Sequence, residues 1–437
     1  ARGGSLLSQF AAAFRTPDLR NKILFTLGLI ALYRIGAIIP TPGVDSTAIR
    51  NCLALVEGNS FYGLINLFSG GALLQLSVFA LGIMPYITAS IIIQLLTVVI
   101  PRLESLRKEG QAGQAKMTQY TRYLTIGLSV LQATAFISLA RTPGQLFQGC
   151  NENLIPNQSV PLIITMILVM TAGASMLMWF GELITDRGVG NGMSLLIFVS
   201  IIAGMPGQFY SIYVTRGFFV LALTLAVGVV IIGAVVYVEQ AQRRIPVQYA
   251  KKMVGSRLMG GASTYIPLKV NMAGVIPVIF ASSLLYIPQL LATVSGNTNS
   301  SWGIWIARNL SKGTEPLYVL FYVAMIVFFA YFYVSITFNP VEVSDNMKKY
   351  GGFIPGIRAG KPTEQYLSYV LSRLTFPGSI YLAIVAVIPL YAFGALGVGQ
   401  SFIFGGTSLL IMVGVGLDTV KQIEAQLQQR SYEGFLR

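Results

Sequence analysis

Few side chains here could do chemistry, and the missing types narrow the choice. The 437 residues contain no histidine, so imidazole metal sites, His-assisted nucleophiles and imidazole proton relays are excluded. Cys52 and Cys150 are the only cysteines, too few for a cysteine-based zinc site. Both fall in segments read below as outer loops, where a disulfide is allowed but not demanded by the spacing. GVGNG at 188–192 lacks the Lys-Ser/Thr ending of an ATP-binding loop. Ser, Thr and Asn are plentiful in the apolar runs, yet no base stands beside a nucleophile. Glu182, Asp186, Arg187 and Asp418 lie near the ends of those runs, and no carboxylate lies near the middle of one. Ion-coupled carriers usually place ionisable groups at depth. Arg34, close to Pro40, reads as a side chain that snorkels to the interface. What remains is apolar: Ile83, Ile87 and Ile91 recur every four residues and share a face if the helix holds through Pro85. Such a face is either ordinary core or lipid contact, or a collar of branched aliphatics that closes a pore by excluding water. Periodicity does not choose between them. The chain reads as a passage rather than a catalyst, with no cofactor, and any energy is expected from a partner.

The element that must position these isoleucines is the charge-free run from Gly58 to Pro101. A spanning helix needs about 20 apolar residues, and this run is roughly twice that. It is also interrupted, by Gly70-Gly71 and by Gly82 followed by Pro85. The reading is a short first piece at about 64–79, a hinge near Gly82–Pro85, and a full spanning helix over 86–100. The first piece carries Asn66, Ser69, Gln75 and Ser77, which suits a cavity better than lipid, because irregular backbone at membrane depth persists only where protein or water covers it. The plain alternative is one kinked helix with an amphipathic lead-in.

Composition places the whole chain in a membrane. Hydrophobic residues are 54% and charged residues 11%, and the mean hydropathy is +0.67. Its 45 glycines suit helices that approach closely in lipid. No cleavable leader is expected, since the first apolar run follows Arg15, Arg20 and Lys22 without a small-residue cleavage site. Ten runs have spanning length: 23–39, 76–100 with its hinge, 123–140, 161–180, 191–206, 218–238, 271–292, 316–338, 374–394 and 402–420. With the N-terminus inside, 24 of the 30 Lys and Arg fall on inner segments, so both termini are expected in the cytoplasm. The fold class is an all-α polytopic membrane protein, ten transmembrane helices in two five-helix halves (1–206 and 207–437). An odd number per half makes the second enter from the opposite side, so related halves would form an inverted repeat around a central pore.

Two inner loops, about 239–270 and 339–373, are long and basic. The first carries Arg243, Arg244, Lys251, Lys252 and Arg257, and its second half has hairpin turn residues at Gly255-Ser256 and Gly260-Gly261. The second carries Lys348, Lys349, Arg358 and Lys361 among Gly and Pro. Positive-inside topology and contact with anionic lipids account for the charge but not for the length. Extended loops with turn chemistry suit a docking platform for a negatively charged partner such as ribosomal RNA or an acidic protein face.

At this point the residues resemble a known family. FSGGALLQLSVFALGIMPYITASIIIQLL is similar to the plug and second helix of SecY, the central subunit of the bacterial protein-export channel. So, in order, are RIGAIIPTPGVD, QYTRY, GNGMSLLIF, KVNMAGVIPVIFASS, FNPVEVSDNMKKYGGFIPGIRAGKPT and GGTSLLIMVGVGLD. The resemblance implies an hourglass pore in the plasma membrane that passes unfolded secretory polypeptides and releases hydrophobic segments sideways into lipid. It implies SecE and SecG as companion subunits, the SecA motor or a ribosome as driver, and signal peptides and nascent polypeptides as cargo. By motif position the constriction ring falls on Ile83, Ile87, Met193, Ile197, Ile279 and Ile411, where Met193 departs from the usual branched residue. The plug falls at about 61–75, including Phe68, Gly70, Gly71, Leu73 and Leu74. A side exit would lie between the second and third helices and the seventh and eighth, with Thr88 and Ile91 facing Ile287. Arg257 and Arg358 match positions the family uses for the ribosome or motor. On residues alone, a small-solute transporter built on an inverted repeat is the runner-up, disfavoured by the missing midplane charges; an intramembrane hydrolase lacks an assembled nucleophile and base.

Overall fold

The computed structural model describes residues 6–55, 71–73, 75–142, 150–250, 252–254, 257–259, 263–294, 301–310, 315–396 and 406–433. The expected spans appear as helices. After a short amphipathic α1 (Leu6–Arg15), α2 (Pro17–Ile38) is the first span, and the outer helix α3 (Ser46–Leu55) follows. Asp45 starts α3: its Oδ1 accepts the Thr47 hydroxyl, the Thr47 amide at 2.9 Å and the Ala48 amide at 3.3 Å, which satisfies helix-start donors. The Thr47 side-chain bond leads in holding that carboxyl below its ordinary pKa.

Residues 75–83 are turns rather than helix, and α4 (Met84–Val99) begins where Pro85 can occupy the first turn without losing a backbone bond. The described part of the short first piece read at about 64–79 is thus turn rather than helix. The turn backbone is instead tied to the end of α2: the Thr41 amide donates to Leu76 O (3.0 Å) and the Val78 amide to Ile39 O (3.0 Å). α5 (Pro101–Lys108) turns away from α4 by 101°. Then come α6 (Gln111–Arg141), α7 (Val160–Arg187) and the long α8 (Gly192–Gln240), which holds the fifth and sixth spans. Pro206 lies inside α8, but the break comes at Gly217, whose φ of 84° and ψ of 172° end regular helix geometry. The second half continues with α9 (Ile276–Val294), α10 (Ser301–Asn309), α11 (Pro316–Thr337), α12 (Pro340–Lys349), α13 (Lys361–Ala395) and α14 (Gly406–Glu433).

The helical class stands, with one addition. In its described residues the first basic loop is β structure from its start, not only in its second half; the turn residues Gly255, Ser256, Gly260 and Gly261 lie outside the described residues. β1 (Gln242–Tyr249) pairs antiparallel with β4 (Ser263–Lys269), and β2 (Lys252–Val254) pairs with β3 (Arg257–Met259). β5 (Gly352–Phe353), from the second basic loop, adds to the other edge of β1 through Gln248↔Phe353 and Tyr249↔Gly352. Alternation along β1 buries Ile245 and Val247. These meet Leu268, Met347, Ile354, Leu367 and Val370 in a separate small core. The two basic loops are one structural unit.

Cys52 and Cys150 form a disulfide, with Cα atoms 5.5 Å apart. It joins α3 to the segment after α6 and lies in an apolar cluster with Leu73, Leu76, Ile137 and Ile155. Opposite that cluster's turn, α7 comes close at Gly173: a Cβ there would sit 2.0 Å from Val78 O. Backbone on both sides leaves nothing flexible to yield, so Gly173→Ala should destabilise the chain by about 1–3 kcal/mol, as overpacking does. A lowered thermal unfolding midpoint in detergent would register this, whereas an unchanged midpoint would show that the contact is loose.

Candidate functional site: an apolar waist below a polar cavity

The interrupted second span positions the site. Because α4 starts at Met84, Ile83, Ile87 and Ile91 do share one side and are all buried. They belong to a continuous apolar cluster that also holds Ile197 from α8, Ile279 from α9 and Ile411 from α14; Met193 packs against it, partly exposed. The six residues assigned to a constriction ring thus come from four helices and the turn before α4, and meet in one cluster. Ile411 and Ile197 are 0% and 2% exposed, while Ile87 and Ile279 keep 8%. The last two, with Met193 and Ile197, line a cavity of about 450 Å³.

That cavity opens toward the end of the bundle that carries the basic loops. Its upper wall is polar: Gln94 from α4, Thr118 and Arg122 from α6, Glu182, Thr185 and Asp186 from α7, and Asn191. Arg122 grips Glu182 with a two-point fork, Nε to Oε1 at 2.9 Å and a terminal nitrogen to Oε2 at 2.7 Å, a geometry that fixes orientation as well as charge. The buried Gln94 Oε1 has no hydrogen-bond partner among the described residues. The cavity therefore has an apolar floor under a mixed-charge wall. Among the described residues no cluster of three or more His, Cys, Asp or Glu could hold a metal.

Of the residues assigned to a side exit, Ile91 is buried in the central cluster. Thr88 is half-buried and donates its hydroxyl to Met84 O at 3.0 Å, and Ile287 is half-buried on α9 just before Pro288. Helix α9 packs against both α4 and α6. Phe68, Gly70 and Leu74, assigned to the plug, lie outside the described residues; Gly71 has φ of 90° and Leu73 is buried in the disulfide cluster.

The docking residues divide similarly. Arg243 and Arg244 are exposed on β1, and the Arg244 guanidinium lies 4.8 Å from the centre of the Tyr265 ring. Lys252 falls on β2 and Arg257 on β3, while Lys251 lies outside the described residues. Arg358 is exposed on a turn fixed at several points: its carbonyl accepts the Thr363 hydroxyl at 2.8 Å, Gly360 O accepts the Ser344 hydroxyl at 2.7 Å, and Ile354 is buried in the sheet core.

Sequence reasoning missed a buried polar knot below this sheet. Asn271 Nδ2 donates to Glu239 Oε1 at 2.8 Å and to Gly274 O at 3.2 Å, and the Tyr381 hydroxyl reaches the same Glu239 oxygen at 3.4 Å. It ties the end of α8 and the segment leading into α9 to the middle of α13. Glu239 sits just past the sixth apolar run, which was the available signal. Asn271→Leu would leave the carboxylate without its closest donor and should cost about 1–3 kcal/mol. Thermal unfolding checks this, and the variant's midpoint should fall below that of the wild type.

These features define a class: a polytopic helical membrane protein whose helices surround a greasy waist with a polar vestibule on the basic side. The SecY family model matches residues 77–420. The chain is 61% identical to the protein translocase subunit SecY of Streptomyces scabiei, over 99% of this chain and all of that one. It is 60% identical to the protein of the same name from Mycobacterium tuberculosis, again over 99% and 100%. The chain belongs to the SecY family. Among solved structures, a protein-conducting channel superposes with a TM-score of 0.65 at 20% identity, covering 92% of this chain and 91% of that one. Sec61 from a canine ribosome-channel complex gives 0.62 at 18%, with 92% and 91% covered.

Proposed function

We propose that this chain is the pore-forming subunit of a protein translocase: a gated, passive conduit for unfolded secretory polypeptides that also releases hydrophobic segments sideways into lipid. The observation that carries the reading is the meeting of Ile83, Ile87, Met193, Ile197, Ile279 and Ile411 in one apolar cluster beneath a polar cavity. A passing chain presents every side-chain type, so its conduit gains from a seal that grips none of them. A band of branched aliphatics does this by excluding water.

The halves 1–206 and 207–437 would flank the waist, and the basic end would face the cytoplasm of a bacterial plasma membrane with both termini on that side. Residues 61–75 are read as the plug that covers the outer side of the waist. Thr88 and Ile91 across from Ile287 would form the side exit. The joined basic loops, with Arg243, Arg244, Lys251, Lys252, Arg257 and Arg358, would receive a motor ATPase such as SecA, or a ribosome. SecE and SecG are the expected companions in the membrane, and anionic lipids the surroundings of the basic face. The test is reconstitution of the chain with its small membrane companions and motor in proteoliposomes. Uptake of an unfolded precursor that depends on both ATP and this chain is the expected result, and uptake that proceeds equally well in its absence would overturn the reading.

A further inference from the structure

One basic residue of the inner loops is spent on a contact that topology does not explain. Arg107 lies on α5, and its guanidinium donates to the backbone carbonyl of Ile336 in the last turn of α11. The two residues are 229 positions apart and belong to opposite halves. Carbonyls in a final helical turn lack intrahelical donors and carry the negative end of the helix dipole. In this turn Val334 O accepts the Phe338 amide, and just before it Phe332 O and Tyr333 O accept the Ser335 and Thr337 hydroxyls. Ile336 O takes its donor from across the molecule.

The contact bridges the seam. On one side stand α4 and α6, joined by α5; on the other stand α9 and α11, which pack together. The cavity reaches the same boundary, with Gln94 and Thr118 on one wall and Tyr333 on the other. Ile336 is one turn beyond Tyr333, so the bridge sits at the basic-side mouth of the seam. Its carrier is stiff. Leu106 is buried against Ile93 and Met117, and α6 approaches so closely that a Cβ on Gly113 would lie 1.7 Å from Leu106 O. Lys108 and Glu104 pair along α5 at 2.8 Å. A rigid arm transmits motion of α4 and α6 to its tip instead of absorbing it.

We infer that Arg107 is a latch across the basic-side mouth of the seam, and that it raises the hydrophobicity a segment needs in order to open the side exit. The inference rests on the side-exit reading above. Separating α4 and α6 from α9 and α11 must break the Arg107–Ile336 bond before any segment reaches lipid. A segment that gains more on entering lipid offsets that loss, and a weakly apolar one does not. An exposed charge-to-carbonyl bond of this kind weights the closed seam by roughly three- to ten-fold.

The test uses the complete translocase in proteoliposomes and two precursors, one with an intact apolar leader and one with two leader leucines replaced by serine. The readout is the ratio of their translocation. Arg107→Ala should narrow the preference for the intact leader by roughly three- to ten-fold, with uptake of the intact precursor unchanged. Arg107→Lys, which keeps a cationic donor, should restore most of it. A merely structural role would move both precursors together and leave the ratio where it was. A second arm bridges Ile91→Cys to Ile287→Cys with a bifunctional thiol reagent. If bridging stops membrane insertion while Arg107→Ala leaves the ratio untouched, the latch is wrong and the side exit stands. If bridging leaves insertion intact, the side exit fails and the latch falls with it.

Discussion

Replacing Ile87, Ile197 and Ile279 together by threonine should open the resting channel to ions, raising planar-bilayer current by at least roughly ten-fold. All three belong to the central cluster, on α4, α8 and α9, and threonine keeps their β-branch while exchanging apolar atoms for a hydroxyl. Each lost methylene-sized group reduces the drive to expel water by about 0.8 kcal/mol, and a factor of ten needs only about 1.4 kcal/mol. Three such losses around one narrow waist exceed that. Deeper truncation would mix the effect with unfolding, because emptying a buried isoleucine site costs about 2–5 kcal/mol. The matched control is valine at the same three positions, which trims volume yet stays apolar and should remain tight. A threonine variant that still exports precursor but conducts no more than wild type would show that the seal lies elsewhere. Met193 adds a graded check: it is the partly exposed member, so Met193→Ile should tighten the waist if its flexible thioether leaves a gap.

Much of this site was legible because it depends on local signals. Gly82 and Pro85 mark where helix geometry must restart, and α4 begins at Met84. Spans are legible because hydrocarbon imposes length and apolarity on every one of them. The end of the fifth span was placed less well than the start of the sixth. The fifth run was read to end at 206, but the helix continues past Pro206; the chain breaks at Gly217, one residue before the sixth run was read to begin, where no Cβ opposes positive φ. The joining of the two basic loops was not legible, because a two-residue strand has no periodicity to read and its partner on β1 is about a hundred residues away. Neither was the disulfide: two cysteines in outer segments allow a bond, but only the folded approach of α3 to the segment after α6 brings them together. Arg107 was counted with the other inner cations, since charge alone cannot separate a topology signal from a side chain with a specific acceptor.

Arg358→Glu should abolish export while leaving folding, membrane insertion and subunit assembly intact. The side chain is exposed, and the turn beneath it is held by backbone and hydroxyl contacts, Thr363 to Arg358 O and Ser344 to Gly360 O, that the substitution does not touch. Exposed changes of this kind usually stay within about 0.5 kcal/mol of wild-type stability. Against an acidic partner surface, however, the change replaces attraction with like-charge contact, which costs several kcal/mol, a loss on the order of a hundred-fold in productive docking. The same reversal at Arg243, exposed on β1 of the sheet that β5 completes, should weaken docking in the same direction, because the two loops present one surface. Raising the salt concentration should reduce docking of the wild type and narrow its margin over both variants, since exposed charges are screened beyond about 8–10 Å near physiological ionic strength. Precursor uptake by proteoliposomes, scored beside motor binding to the same vesicles, separates the explanations. Lost uptake with lost binding is the expected pair. Full uptake by Arg358→Glu would mean that the charge serves orientation in the membrane alone, and the joined loops would then need another role.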